Sequence, residues 1–270
     1  MEPIDLLSAL ADLAVVIAFA LLAIALRGIN GRGFLASVAV GFPILLGGGW
    51  RWFAIVATFF VLGVGFTWYK YEHKKSIGSA QEKGGTRSWP NILANGGIPA
   101  IFGLGEFVFG GLPFTALYLG AVSAAASDTL ATELGLLNKA PPRLITHLRR
   151  VVAPGTSGGV SPMGFVGSLL ASSAIGVVAA AIGTLKLWAP EVVAISVVGG
   201  IFGSVVDSLV GATLQRKSYC VVCGKPSESL EHCGEPTRYQ SGVSFFDNHV
   251  VNVFATVFGA LAALALMLAL

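Results

Sequence analysis

The chain has 270 residues, of which 54% are hydrophobic and only 11% charged, with a formal net charge of +3. Soluble domains carry about 25% charged residues, so the composition excludes an ordinary water-soluble domain. It predicts one all-α integral membrane domain over residues 1–270, a polytopic bundle of transmembrane helices. No nucleic-acid partner is expected, and a homo-oligomer is left open.

A crossing needs about 20 mostly apolar residues. Such stretches occur at 6–26, 33–49, 52–69, 92–109, 113–137, 162–183, 192–214 and 248–270. The second and third are short, and only Gly47-Gly-Gly-Trp-Arg51 lies between them. They read either as two spans or as one re-entrant hairpin, so seven or eight spans are expected. Residues 1–69 carry generic spans. No basic segment precedes the first apolar stretch, and no cleavable signal peptide is expected. The 35 glycines suit close helix–helix packing.

Charge sets the expected orientation. With the N-terminus outside, fifteen of the 17 lysines and arginines fall in inner connectors, leaving Arg51 and Lys186 outside. The positive-inside rule then puts segments 70–91, 138–161 and 215–247 in the cytoplasm and both termini outside. The chain is expected in the cell membrane with its chemistry on the cytoplasmic face. A symmetric transporter would show matching repeats, and none is evident.

Several polar residues sit in or at the inner ends of the spans: Asp128, Glu133, Asp207, Asn95, Asn252 and the pair Asp247-Asn248. An intramembrane charge costs about 2.5–3.5 kcal/mol on insertion scales, which favours a functional reading. The competing reading is polar glue between helices, each carboxylate paired to a base. Asp128 and Glu133 are five residues apart, so on a helix they point about 140° away from each other. Glu133 is expected to face a neighbouring helix. Asp128 and Asp207, converging near the inner surface with Asp247, would suit Mg²⁺ and phosphate: hard oxygen donors, a hard cation and an anion to neutralise.

Two loops look able to hold phosphate. Gly155-Thr156-Ser157-Gly158-Gly159 precedes a helix, with Arg143, Arg149 and Arg150 upstream. Backbone N–H groups at a helix start can hold an anion, although a plain connector fits the same residues. Arg87 and Asn91 stand at the mouth of a span, with Asn95 one turn inside. Segment 215–247 contains Cys220-Val-Val-Cys223 and His232-Cys233. Four such ligands would suit a structural Zn²⁺; a redox pair and plain reduced thiols are the alternatives. His73, His147 and His249 read as loop or interface residues.

Six blocks then occur in order: Arg87-Ser-Trp-Pro-Asn-Ile-Leu-Ala-Asn-Gly-Gly, Ser127-Asp-Thr-Leu-Ala-Thr-Glu-Leu-Gly, Pro142-Arg-Leu-Ile-Thr, Gly155-Thr-Ser-Gly-Gly-Val-Ser, Gly203-Ser-Val-Val-Asp-Ser-Leu-Val-Gly-Ala-Thr-Leu-Gln and Asp247-Asn-His-Val-Val-Asn. From about residue 80 onward the chain resembles the integral-membrane family that includes the chloroplast phytyl-phosphate kinases. It is more distantly similar to dolichol kinases and phosphatidate cytidylyltransferases. The resemblance implies a CTP-dependent kinase acting on a prenyl monophosphate such as phytyl or geranylgeranyl phosphate. Asp128 and Asp207 would hold Mg²⁺, with Glu133 also catalytic. Arg87, Asn91, Asn95, Arg143, Gly155–Gly159, Asp247, Asn248 and Asn252 would bind substrate and nucleotide. The Cys/His insertion departs from the family pattern. A CTP-using lipid cytidylyltransferase and a lipid-phosphate transporter or flippase are the rival readings. The crowding of polar groups toward one side disfavours the transporter.

Overall fold

The computed structural model describes residues 6–77, 85–224, 226–227 and 230–270, apart from the side chains of Leu112, Pro226, Ser227 and His232. Lys83 and Lys225, counted in the charge pattern, lie outside the described residues. The protein is an all-α membrane bundle with small sheets in its connectors. Its helices are α1 (Leu6–Ala25), α2 (Gly31–Trp68), α3 (Tyr71–Ser76), α4 (Trp89–Phe109), α5 (Leu112–Gly135), α6 (Pro162–Ala181), α7 (Ala189–Thr213) and α8 (Asn248–Ala269).

Helix starts follow local chemistry. Asn30, Ser161 and Asp247 cap α2, α6 and α8 with side-chain oxygens. Proline occupies the first or second position of α4, α5, α6 and α7, where a missing N–H costs nothing. Outward-facing residues such as Leu22, Phe109, Val177 and Leu268 are exposed. An aliphatic surface of that extent belongs against lipid.

The 38-residue α2 resolves the ambiguity of the second and third spans. Gly49 has φ 63 and ψ −164, outside helical geometry. Gly33 and Gly63 both lie against Arg87, and Gly41 lies against Phe53. The chain therefore folds back at Gly49, and 31–48 and 50–68 are antiparallel arms. Each arm rises about 27 Å, close to the ~30 Å hydrocarbon core.

Among the described residues, six helices are long and apolar enough to cross a membrane, with α2 counted once. α5 is not among them, because Asp128, Glu133 and several serines and threonines dilute it. It is nevertheless the central helix, packed against α2, α4, α6, α7 and α8. With α2 as two arms and α5 included, the described chain passes through the bundle eight times.

Tight turns at Gly49, Gly110–Gly111 and 182–188 define one face. The longer connectors 69–88, 136–161 and 214–247, with the short connector 26–30, define the other, here called the loop face. Connector 136–161 contains β1 (Arg143–Leu144), β2 (His147–Val151) and β3 (Gly159–Val160), an antiparallel sheet in the order β2-β1-β3. Connector 214–247 contains β4 (Lys217–Tyr219), β5 (Pro226–Ser227), β6 (Glu231–His232), β7 (Glu235–Pro236) and β8 (Arg238–Ser241). These form a sheet in the order β5-β4-β8 and a separate β6–β7 hairpin. The sequence reading places no strands in either connector, because strands of two to five residues carry no readable periodicity.

Small residues seat α5. Gly120 of α5 meets Gly199 of α7, and Ala124 meets Gly203. Gly167 of α6 meets the Leu130 carbonyl. Hydroxyls bridge what remains: Ser123 Oγ and Ser196 Oγ are 2.7 Å apart, Ser196 Oγ donates to Ser172 O at 2.7 Å, and Ser127 Oγ donates to Ser168 O at 3.0 Å. In lipid there is no hydrophobic drive between helices, so close backbone approach and such bonds replace it.

Candidate functional site

The polar residues gather at one depth. Asp128 lies seven residues from the end of α5, Asp207 six from the end of α7, Asn95 six from the start of α4 and Asn252 four from the start of α8. All four ends are at the loop face, so at 1.5 Å per residue these groups sit about 6–10 Å inside it.

Helix register brings the two aspartates level. The pairs Gly120–Gly199 and Ala124–Gly203 step together along α5 and α7, so the two helices run parallel. One turn further toward the loop face from Ala124 and Gly203 come Asp128 and Asp207. Both are half-buried. Asp207 is tied to the neighbouring helices. With its amide oriented by the hydrogen-bond network, Asn252 Nδ2 donates to Asp207 Oδ2 at 3.1 Å and to Asn248 O at 3.2 Å. Asn252 Oδ1 accepts from Asn95 Nδ2 at 3.1 Å, and Asn95 also donates to Asn91 O at 3.0 Å. A hydrogen-bonded line thus runs from α4 through α8 to the carboxylate on α7.

The α4 end of that line opens on a cavity between α1 and the two arms of α2. Its wall is apolar, with Val16, Phe19, Val40 and Phe53, while Arg87, Asn91 and Asn95 line its polar part. The Arg87 guanidinium lies 5.1 Å from the Phe59 ring centre. Phe53 is six residues, about 9 Å, deeper along the same arm. Arg87 is fixed by its backbone: its N–H donates to Gly28 O at 3.0 Å and its carbonyl accepts from Asn30 N at 3.3 Å. Burial pulls the guanidinium down to about 10, partly opposed by Glu133. It stays charged at neutral pH.

Glu133 has a different duty from the catalytic one expected. It is 2% exposed. Its Oε1 accepts from Thr67 Oγ1 at 2.8 Å and its Oε2 from Lys74 Nζ at 2.6 Å. Lys74 also donates to Phe66 O at 2.6 Å, at the end of α2. Both carboxylate oxygens are engaged, so Glu133 positions α2 and α3 against α5. It points away from Asp128 toward a neighbouring helix, as its helical phase requires. Thr67 and Lys74 escaped the sequence reading because their partner is 66 and 59 residues away.

Other expected ligands are also spent on structure. Asp247 Oδ1 accepts from His249 N at 2.9 Å and Val250 N at 3.0 Å, and so caps α8 rather than facing a substrate. Asn248 follows it, and its carbonyl takes one bond from Asn252. Arg143 is exposed and closes the β1–β2 turn by donating to Leu148 O at 2.9 Å. The start of α6 is not an open anion site, since Ser161 Oγ accepts from Gly164 N at 3.1 Å. In the 155–159 loop, the N–H groups of Thr156 and Gly159 are spent on Ala153 O and Thr156 O. Gly158, at φ 78, packs on Ala212, little more than one turn beyond Asp207. Ser157 and Gly158 also lie against Gly211, one turn beyond Asp207 on α7. His249 Nδ1 is buried without a hydrogen-bond partner among the described residues, and no sequence signal marks it.

Residues 14–260 match the family described as integral membrane protein DUF92. The chain belongs to this family. The match begins at residue 14, so the early spans belong to the DUF92 pattern, which the six sequence blocks alone do not reach. An uncharacterized membrane protein of Methanocaldococcus jannaschii is 35% identical over 191 residues, 71% of this chain and 76% of that protein. Protein PGR of Arabidopsis thaliana is 30% identical over 230 residues, 76% of this chain and 77% of PGR. The chloroplastic protein VTE6 of the same plant is 26% identical over 242 residues, 88% of this chain and 65% of VTE6. No solved structure matches this DUF92 protein. Its Cys220, Cys223 and Cys233 come together in connector 214–247, with sulfurs all within 4.8 Å of one another. The side chain of His232, the fourth expected ligand, lies outside the described residues.

Proposed function

We propose that this DUF92 protein is a CTP-dependent kinase that converts a prenyl monophosphate, of the phytyl or geranylgeranyl phosphate type, to the diphosphate at the cytoplasmic membrane face. One observation carries the reading. An apolar cavity ends at a fixed arginine, and a line of asparagine hydrogen bonds joins that end to Asp207, which lies level with Asp128. An isoprenoid tail matches the cavity wall, and its phosphate matches Arg87, Asn91 and Asn95. The nucleotide would approach from the loop face past 155–159.

The donor set at Asp128 and Asp207 is hard oxygen, half-buried, and fits Mg²⁺. When bound there, Mg²⁺ would neutralise charge on nucleotide phosphate oxygens. In the reaction a lipid phosphate oxygen attacks the γ-phosphorus of CTP, and the bond between the γ-phosphorus and the bridging oxygen breaks as CDP leaves. The acceptor is already an anion, so no general base is required, and positioning is the main demand. That agrees with a Glu133 committed to Lys74. Arg87 would hold the lipid phosphate against its own repulsion from the nucleotide. Asn252 would keep the Asp207 carboxylate turned toward Asp128.

The test is turnover of purified protein with CTP, Mg²⁺ and geranylgeranyl phosphate. Asp128→Asn and Asp207→Asn are each expected to lower kcat roughly a hundredfold or more, the loss of a few kcal/mol of charge stabilisation. Undiminished turnover in both variants would remove the aspartates from the reaction. Release of pyrophosphate with a nucleotide-linked lipid, in place of CDP, would assign a cytidylyltransferase instead.

A further inference from the structure

We infer that connector 214–247 is a zinc-binding module in which the thiolates of Cys220, Cys223 and Cys233 hold one Zn²⁺. The three sulfurs come from two separate turns and converge to within 4.8 Å of one another. Zinc–thiolate bonds of about 2.3 Å at tetrahedral angles put sulfurs about 3.8 Å apart. The observed cluster needs only a small contraction to meet that geometry.

The backbone of both turns is shaped to aim sulfur inward. In the first, Cys220-Val-Val-Cys223 closes when Gly224 N donates to Cys220 O at 2.9 Å, with Gly224 at φ 69. The second is the tip of the β6–β7 hairpin. His232 pairs with Glu235, so the loop is the two residues Cys233 and Gly234. Their φ values are 56 and 80. Two positive φ angles make a type I′ turn, which ordinarily takes Asn-Gly. A cysteine there is conformationally disfavoured by about 1 kcal/mol. The turn carries one nonetheless, and its sulfur is the one that completes the cluster. Both turns thus have a cysteine followed by a glycine at positive φ.

The module joins the two helices that carry Asp207 and Asn252. Its ends are already pinned, with Arg216 N donating to Phe246 O at 2.7 Å and Val243 N to Leu214 O at 2.8 Å. A metal clip from 220 to 233 would fix the chain between them and hold the sheet β5-β4-β8 over the loop face. A nitrogen or oxygen donor takes the fourth position. This inference stands on the cysteine geometry alone and survives any outcome of the kinase assay.

The test uses full-length protein purified in detergent under reducing conditions. Elemental analysis is expected to find about one zinc per chain. After chelation, Co²⁺ titration is expected to give the ligand-field and thiolate charge-transfer bands of a tetrahedral thiolate site, which Zn²⁺ then abolishes. Cys233→Asn supplies the residue that the type I′ turn prefers while removing the sulfur. It is expected to stay monodisperse and lose at least tenfold in zinc affinity. Absence of cobalt bands in the wild-type chain, with all three thiols open to a thiol reagent, would overturn the assignment. Undiminished zinc binding by Cys233→Asn would do so equally.

Discussion

Arg87 illustrates how much of the site is settled by groups that never touch a ligand. Its backbone is bonded to Gly28 and Asn30. Its side chain lies over Phe59, and Gly63 leaves the space that the guanidinium fills. A Cβ at Gly63 would collide with the guanidinium itself, the far end of a flexible chain. Gly63→Ala is therefore expected to swing the arginine aside without parting the helices. On the proposed function, KM for the lipid phosphate should rise about tenfold, the worth of a charge-assisted hydrogen bond, with kcat and thermal stability little changed. Steady-state kinetics against lipid phosphate concentration check this; an unaltered KM would take Arg87 out of substrate binding. At this scale the sequence was informative where a residue type is anomalous for its surroundings. Asp128, Asp207, Asn95 and Asn252 stand out in apolar runs, and the structure brings them to one level. It failed where the function of a polar group depends on its partner. Glu133 is as anomalous as Asp128, but Lys74 and Thr67 engage it. Asp247 reads as a ligand until the first turn of α8 is seen to need its oxygen.

Helices are where hydrophobic patterning is reliable, and the expected spans agree with the observed elements to within a few residues. The exceptions have physical causes. α2 looks like two short spans because Gly49 takes a positive φ that reverses the chain without interrupting the apolar run. α5 falls short of the apolarity of a lipid-facing helix because other helices, not lipid, surround it. The interfacial helix α3 carries a buried ion pair to α5, Lys74–Glu133, whose side chains are 1% and 2% exposed. Removing one partner of such a pair strands the other. Glu133→Gln is expected to destabilise the protein by about 3–5 kcal/mol, while Lys74→Met combined with Glu133→Gln should recover much of that loss. Thermal unfolding in detergent, comparing both single variants with the double, reads the coupling. Additive losses would mean that α3 is held by something other than the ion pair.

Across the whole molecule, the three long connectors all lie on one face. They carry 13 of the 17 lysines and arginines, and the aspartates and the cavity's polar end lie just beneath them. The proposed cytoplasmic placement of that face makes a direct prediction. Trypsin added to sealed inverted vesicles should cut within 139–150, where Lys139, Arg143, Arg149 and Arg150 are all exposed. In right-side-out vesicles the same segment should survive, and the reverse pattern would invert the topology. The amino-acid sequence determined the membrane class, the approximate spans, the sidedness of charge and the family, because each depends on composition or local order. That Glu133 is tied to Lys74 and Thr67, and Asp247 to the first turn of α8, was decided only by the tertiary structure. So were the fold-back of α2, the level meeting of α5 and α7, and the convergence of three sulfurs. Each of these joins residues separated along the chain, and their distance is set by helix packing or, for the sulfurs, by the turns of connector 214–247.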